Sequence, residues 1–90
     1  MKTFKFVVTT PDGNLFESDI VSVSLRGVEG DLAIMANHTP FVTSVKPCKC
    51  RVELEDGSIK LLDIKRGLLS VTSFDVTLMS GSAKWAEEIQ

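Results

Sequence analysis

The sequence predicts an all-β fold, a small antiparallel β-sandwich of about ten short strands that ends in a short helical turn. Three observations predict it. Apolar and polar residues alternate with period two through almost everything before residue 81. Turn-forming residues break that alternation at short intervals, and no amphipathic helical pattern lies between the breaks. The parallel sheet of an α/β protein needs crossovers of about a dozen residues or more, for which these intervals leave no room.

The elements follow in order. Thr3 to Thr9 alternates, with Phe4, Phe6 and Val8 on one side. Pro11-Asp12-Gly13-Asn14 is a turn, because proline presets φ and glycine accepts φ > 0. Short strands follow at Leu15–Glu17, Ile20–Leu25, Asp31–Met35 and Phe41–Val45, separated by Gly27, Gly30, the Asn37–Pro40 segment and Lys46-Pro47. From Cys48 to Glu55 apolar residues occupy even positions and charged ones odd positions, the pattern of a strand with one buried face. Asp56-Gly57 predicts a two-residue hairpin, with Ser58 to Lys65 as the returning strand. Leu68–Thr72 and Phe74–Met79 complete the set after Arg66-Gly67 and Ser73. Residues 82–90 change character and favour helix, with Ser82 as cap and Trp85 as the anchor onto the sandwich. The reading is therefore one β domain over 1–81 and a short helical tail over 82–90, with no second core.

Composition excludes several function classes. The chain has 90 residues, 24% of them charged, and a formal net charge of −2. Its densest basic stretch, Lys46 to Arg51, holds three cations among prolines and cysteines, so neither a nucleic-acid partner nor another polyanion is expected. No apolar run approaches the ~18–20 residues of a membrane span, and the start lacks a signal-peptide pattern, so membrane insertion is not expected. Cys48 and Cys50 fall on one strand face, too closely tethered for a relaxed disulfide, and read as reduced core residues. With one distant histidine they make a poor metal set, and no metal or other cofactor is expected.

Glu29 to Pro47 is the most informative segment and contains the only histidine, His38. A hydrolytic site needs a nucleophile beside an oriented base, and no serine sits in a G-x-S-x-G elbow. Gly27-Val28-Glu29-Gly30 precedes a strand pattern rather than a helix, which argues for a turn and against a phosphate loop. No enzymatic activity and no small-molecule substrate are expected. The run Leu32-Ala33-Ile34-Met35 and the pair Phe41-Val42 place apolar residues on both strand faces, as a strand beneath a partner protein does. The segment reads as a docking surface.

Glu29-Gly30-Asp31-Leu32-Ala33-Ile34-Met35-Ala36-Asn37-His38-Thr39-Pro40 through Thr43 and Lys46-Pro47 resembles the signature E-G-x-L-G-I-x-P-G-H-x-P-L-x-T-x-L-K-P-G of the epsilon subunits of F-type ATP synthases, the delta subunit in mitochondria. Phe16 with Ser18, Gly67 to Val71 and Val76 to Met79 flank it in the family's order, so the resemblance covers about residues 4–83. It implies a ten-stranded β-sandwich without catalytic residues, peripheral on the cytoplasmic face of the bacterial membrane. Such a domain grips the gamma subunit and the membrane c-ring and couples ion-driven rotation to ATP synthesis. By resemblance, Glu29, Gly30 and Asp31 face the c-ring loops, and Met35, His38 and Thr43 the gamma side. The family's P-G before the histidine is Ala36-Asn37 here, and asparagine tolerates φ > 0 next best after glycine. The glycine after K-P is Cys48, and the first glycine of the G-G pair is Arg66. The family's C-terminal helical hairpin, which binds ATP in some bacteria and inhibits hydrolysis, has no counterpart in the 90 residues, so a coupling subunit without that regulation is expected. A ligand-binding β-sandwich module is the alternative; it calls for a row of exposed aromatics in a chain with one Trp and no Tyr. A small hydrolase is a third reading, set against by the single histidine.

Overall fold

The computed structural model describes residues 2–89. It contains ten strands: β1 (Phe4–Thr10), β2 (Gly13–Ile20), β3 (Ser22–Gly27), β4 (Gly30–Met35), β5 (Phe41–Val45), β6 (Cys48–Glu53), β7 (Ile59–Ile64), β8 (Gly67–Val71), β9 (Asp75–Ser80) and β10 (Ala83–Ile89). Hydrogen bonding joins them in the order β10-β7-β6-β3-β5-β8-β9-β1-β2, with β4 on the other edge of β3. The path folds into two layers, β10-β7-β6-β3-β4 and β5-β8-β9-β1-β2, and nearly closes into a barrel. The predicted all-β class holds.

One corner links the layers. β5 leaves its own layer to pair Val45 with Gly27, and after Lys46-Pro47 the chain continues along the same edge of β3 as β6, where Arg51 meets Ser24 and Glu53 meets Ser22. Proline has no N–H to give a ladder, so a break in pairing there costs nothing. At the opposite seam the ring of Trp85 stands on Phe16 edge to face, with centroids 5.4 Å apart.

The core fills the space between layers. Phe6, Val8, Ile20, Val23, Val45, Cys50, Val52, Leu62, Leu69, Val76 and Leu78 are wholly buried. The alternation of β6 is realised: Cys50 and Val52 point inward, with Cys48 and Leu54 packed against the core beside them. Both cysteines are free thiols, and Cys48 Sγ accepts the Arg26 N–H at 3.4 Å. Burial pushes the Cys50 thiol from 9.0 up to about 12, with Cys48 nearby as the smaller cause. The folded chain therefore keeps a proton that the unfolded chain releases above pH 9.0. Stability should fall by up to about 1.4 kcal/mol per pH unit from there towards the folded value, and Cys50→Ala should remove that slope. Urea melts at stepped pH check this; parallel slopes in both proteins would refute it.

Three expectations need correction. Residues 83–89 form strand β10 where a helical tail was predicted: Ala83 pairs with Ile64, Lys84 with Asp63 and Trp85 with Leu62, with a bulge before Glu88. A helix this short gains little from its own ladder, whereas the edge of β7 offers a row of unpaired backbone groups. Trp85 is nonetheless the anchor, on Phe16, with Lys60 Nζ 5.1 Å above its ring. Second, the sandwich is not wholly antiparallel, because β1 runs parallel to β9 from Lys5↔Asp75 to Thr9↔Met79. Third, the β6–β7 connection is longer than two residues. Gly57 donates to the Leu54 carbonyl at 3.0 Å and Leu54 to that of Ser58 at 2.9 Å, leaving 55–57 as a three-residue loop. Gly57 holds φ at 88°, which such a loop demands of its last residue.

Candidate docking surface

The register sorts the turns into two groups. Turns 11–12, 28–29, 46–47, 65–66 and 81–82 lie at one end, here the Glu29 end. Residue 21 and turns 36–40, 54–58 and 72–74 lie at the other, the His38 end.

At the Glu29 end, β3 and β4 pair down to Gly27↔Gly30, so Val28 and Glu29 form the turn itself. Gly30 takes a φ of 134°, closed to residues with a Cβ, and the Val28 N–H donates to the Ser44 carbonyl at 3.1 Å. Asp31 sits opposite Arg26 and receives its Nε–H at 3.0 Å. Both side chains are mostly in water, so the pair fixes orientation more than stability. Glu29, Gly30 and Asp31 line a cleft of about 460 Å³ along the seam between β4 and β5, and Thr43 lines it with them.

The crossover at the His38 end is built tightly. Ala36 packs on the core, and Asn37 has a φ of 68°, the only non-glycine φ above zero among the described residues, as expected of the family's P-G position. His38 Nδ1 donates to the Met35 carbonyl at 2.9 Å, and the ring meets Phe4 at 5.1 Å and 79°. Nε2 is buried with no partner among the described residues. His38 thus pins its own loop to β1 and the end of β4, and no hydroxyl or carboxylate of the described residues bonds it. Met35 points away, 61% exposed, on the outer face of β4 beside Ser22.

The structure therefore brings Glu29, Gly30, Asp31 and Thr43 together and places Met35 and His38 at the far end of β4. Val42 of the predicted Phe41-Val42 pair is 63% exposed on β5, and the structure adds two residues that the sequence did not single out: Leu68 (40%) faces Met79 (39%) across β8 and β9. With Val42↔Ser70 in the next row they make an apolar outer face on the second layer. The doublets Leu68-Leu69 and Leu78-Met79 carried the signal, since neighbours on a strand point opposite ways and one of each pair must face out. Among the described residues no three His, Cys, Asp or Glu side chains converge as a metal set, and no helix is long and apolar enough to cross a membrane.

A two-layer β domain with exposed apolar side chains on one outer face, polar end loops and a histidine used as a loop fastener has the build that protein docking calls for. Comparison with known proteins gives the family. Residues 3–86 match the domain described as ATP synthase, Delta/Epsilon chain, beta-sandwich domain. The ATP synthase epsilon chain of Clostridium perfringens is 36% identical over 89 residues, which are 99% of this chain and 67% of that one. The epsilon chain of Bacillus velezensis is 38% identical over the same share of each. In fold, a chain of the Euglena gracilis mitochondrial ATP synthase (OSCP/F1/c-ring) superposes with a TM-score of 0.87 at 21% identity, covering 92% of this chain and 53% of that one. The chain belongs to the ATP synthase delta/epsilon family, whose members are non-catalytic subunits, and carries the family's β-sandwich domain.

Proposed function

We propose that this domain is a rotor component of the central stalk, docking the gamma subunit to the c-ring so that ion-driven rotation is coupled to ATP synthesis. It works as a peripheral part on the cytoplasmic face of the bacterial membrane. The observation that carries the reading is the two-ended build. The charged Glu29–Asp31 turn occupies one end, and exposed Met35 lies beyond the fastened His38 loop at the other. Glu29, Gly30 and Asp31 are assigned to the c-ring loops, and Met35 and His38 to the gamma side; Thr43, which the resemblance sets on the gamma side, lies in the cleft with Glu29–Asp31. Family membership supports the rotor reading, and a chain of the structure described as the central stalk and c-ring of the Tetrahymena thermophila mitochondrial ATP synthase shares the fold, at a TM-score of 0.76 and 12% identity.

The test is pull-down against gamma. Met35→Glu places a charge in the contact and should weaken capture by about a hundredfold or more, since a charge desolvated without a partner costs about 3–5 kcal/mol. Asp31→Lys should leave gamma capture intact and weaken retention on c-ring preparations. Full gamma binding by a folded Met35→Glu protein would overturn the assignment.

A further inference from the structure

The fold gathers a basic corner that is dispersed in the sequence. Five of the ten lysines and arginines, Lys46, Lys49, Lys65, Arg66 and Lys84, come together at the Glu29 end, all exposed. Lys49 and Lys84 flank Asp63 from either side, paired with it across β6 and β10. Those two lysines and Lys65 line a concave site of about 520 Å³ with Asp63, Pro47 and Ser82. The ion pairs among the described residues are Lys5–Glu17 and Arg26–Asp31, so none of the five is neutralised by a close carboxylate there. The tip of the same β6–β7 hairpin carries Glu53, Glu55 and Asp56. Six-residue strands separate corner and tip by about 20 Å, beyond the Debye length of ~8 Å at physiological salt, so each end presents its own sign to its surroundings.

We infer that this corner docks the domain electrostatically on an anionic phospholipid surface, through the phosphate and carboxylate groups of the lipid heads and without insertion. A weakly acidic chain with half of its cations on one corner is oriented by a negative plane: the corner turns towards it and the acidic tip away. Cys48 and Ile64 complete the lining, and Ile64 is held in the core, so no large apolar side chain of the site projects for insertion, which fits adsorption over burial. The direction of this corner in the cell rests on the rotor reading, which sets the Glu29 end against the ring; the contact itself does not.

The test is co-sedimentation of the chain with vesicles of phosphatidylcholine containing about 30% phosphatidylserine, against phosphatidylcholine alone. Binding to the anionic vesicles only, lost on raising salt from about 0.05 M to about 0.5 M, is expected. Each cation near the surface contributes about fivefold in partitioning, so K49Q/K65Q/K84Q should lower it about a hundredfold with melting little changed, and K49E/K65E/K84E should lower it further. Glu55→Lys raises the net charge at the far tip and should leave partitioning within about twofold. Equal binding to both vesicle types would overturn the inference, as would a Glu55→Lys gain matching the loss per corner lysine. Displacement by inorganic phosphate at constant ionic strength would overturn it in favour of a discrete phosphate site. Failure of gamma or ring docking with vesicle binding intact counts against the rotor reading alone; the reverse counts against the membrane contact alone.

Discussion

Gly67→Ala should destabilise the fold by about 3 kcal/mol or more. Gly67 opens β8 directly across from Ser80, and a Cβ there would stand 2.3 Å from the Met79 carbonyl oxygen and 3.1 Å from the Ser80 Cα. Both obstacles are backbone, so no rotamer change relieves the clash. β8 and β9 would have to separate where the turn is also held by Ser80 Oγ donating to the Lys65 carbonyl at 3.2 Å. Overpacking against movable side chains costs about 1–3 kcal/mol; against a fixed ladder the cost should reach the top of that range or exceed it. Circular dichroism melts would show a fall of about 10 °C or more. A shift of a degree or two would mean that the β8–β9 ladder is looser than its register. This position also explains a departure from the family pattern: the first glycine of the G-G pair is replaced by exposed Arg66, whereas the second has no room for a side chain.

Phe6→Ala should cost about 3–5 kcal/mol. Phe6 is wholly buried, lies at the centre of β1, and meets Phe16 at 6.0 Å between ring centroids. β1 pairs with β2 on one side and β9 on the other, so neighbours cannot collapse into the void without moving three strands. Phe16 in turn supports Trp85, so the loss should spread to the β2–β10 seam. Trp85 is the only tryptophan, which makes its fluorescence a local reporter beside the global melt. A domain of this size has about 5–15 kcal/mol in all, so the variant should survive in the cold and melt some 15–25 °C early. A loss below about 1 kcal/mol would mean that the core repacks freely.

What was legible in the sequence was the part governed by local rules. The even–odd pattern from Cys48 to Leu54 names the buried face residue by residue, and Asn37 stands in the one conformation that its place in the motif demanded. What was not legible depends on distant partners. The parallel β1–β9 pair joins the first strand to the ninth, so the whole domain serves as the crossover and no short linker announces it. Residues 83–89 have helical composition, but an open edge on β7 and a ring to cover at Phe16 decide otherwise. At the surface, sequence motif and three-dimensional neighbourhood diverge. Thr43 lies in the cleft with Glu29–Asp31 because β5 bends towards β3, a proximity that spacing along the chain does not encode. Lys46 and Lys49 read as a weak basic stretch until the fold sets Lys65, Arg66 and Lys84 beside them.

The corner at Lys46-Pro47 has a mechanical consequence. Because β5 and β6 are one uninterrupted stretch of chain, the two layers share a covalent member and do not meet through side-chain packing alone. A shearing load between the faces is borne partly along the backbone, in tension, where bonds barely stretch, and only the remainder falls on contacts that slide. Under the proposed rotor role, between a turning shaft and the wheel that drives it, little twist would be taken up inside the part. Elastic energy would then be stored elsewhere in the machine, and the domain would pass on the angle it receives.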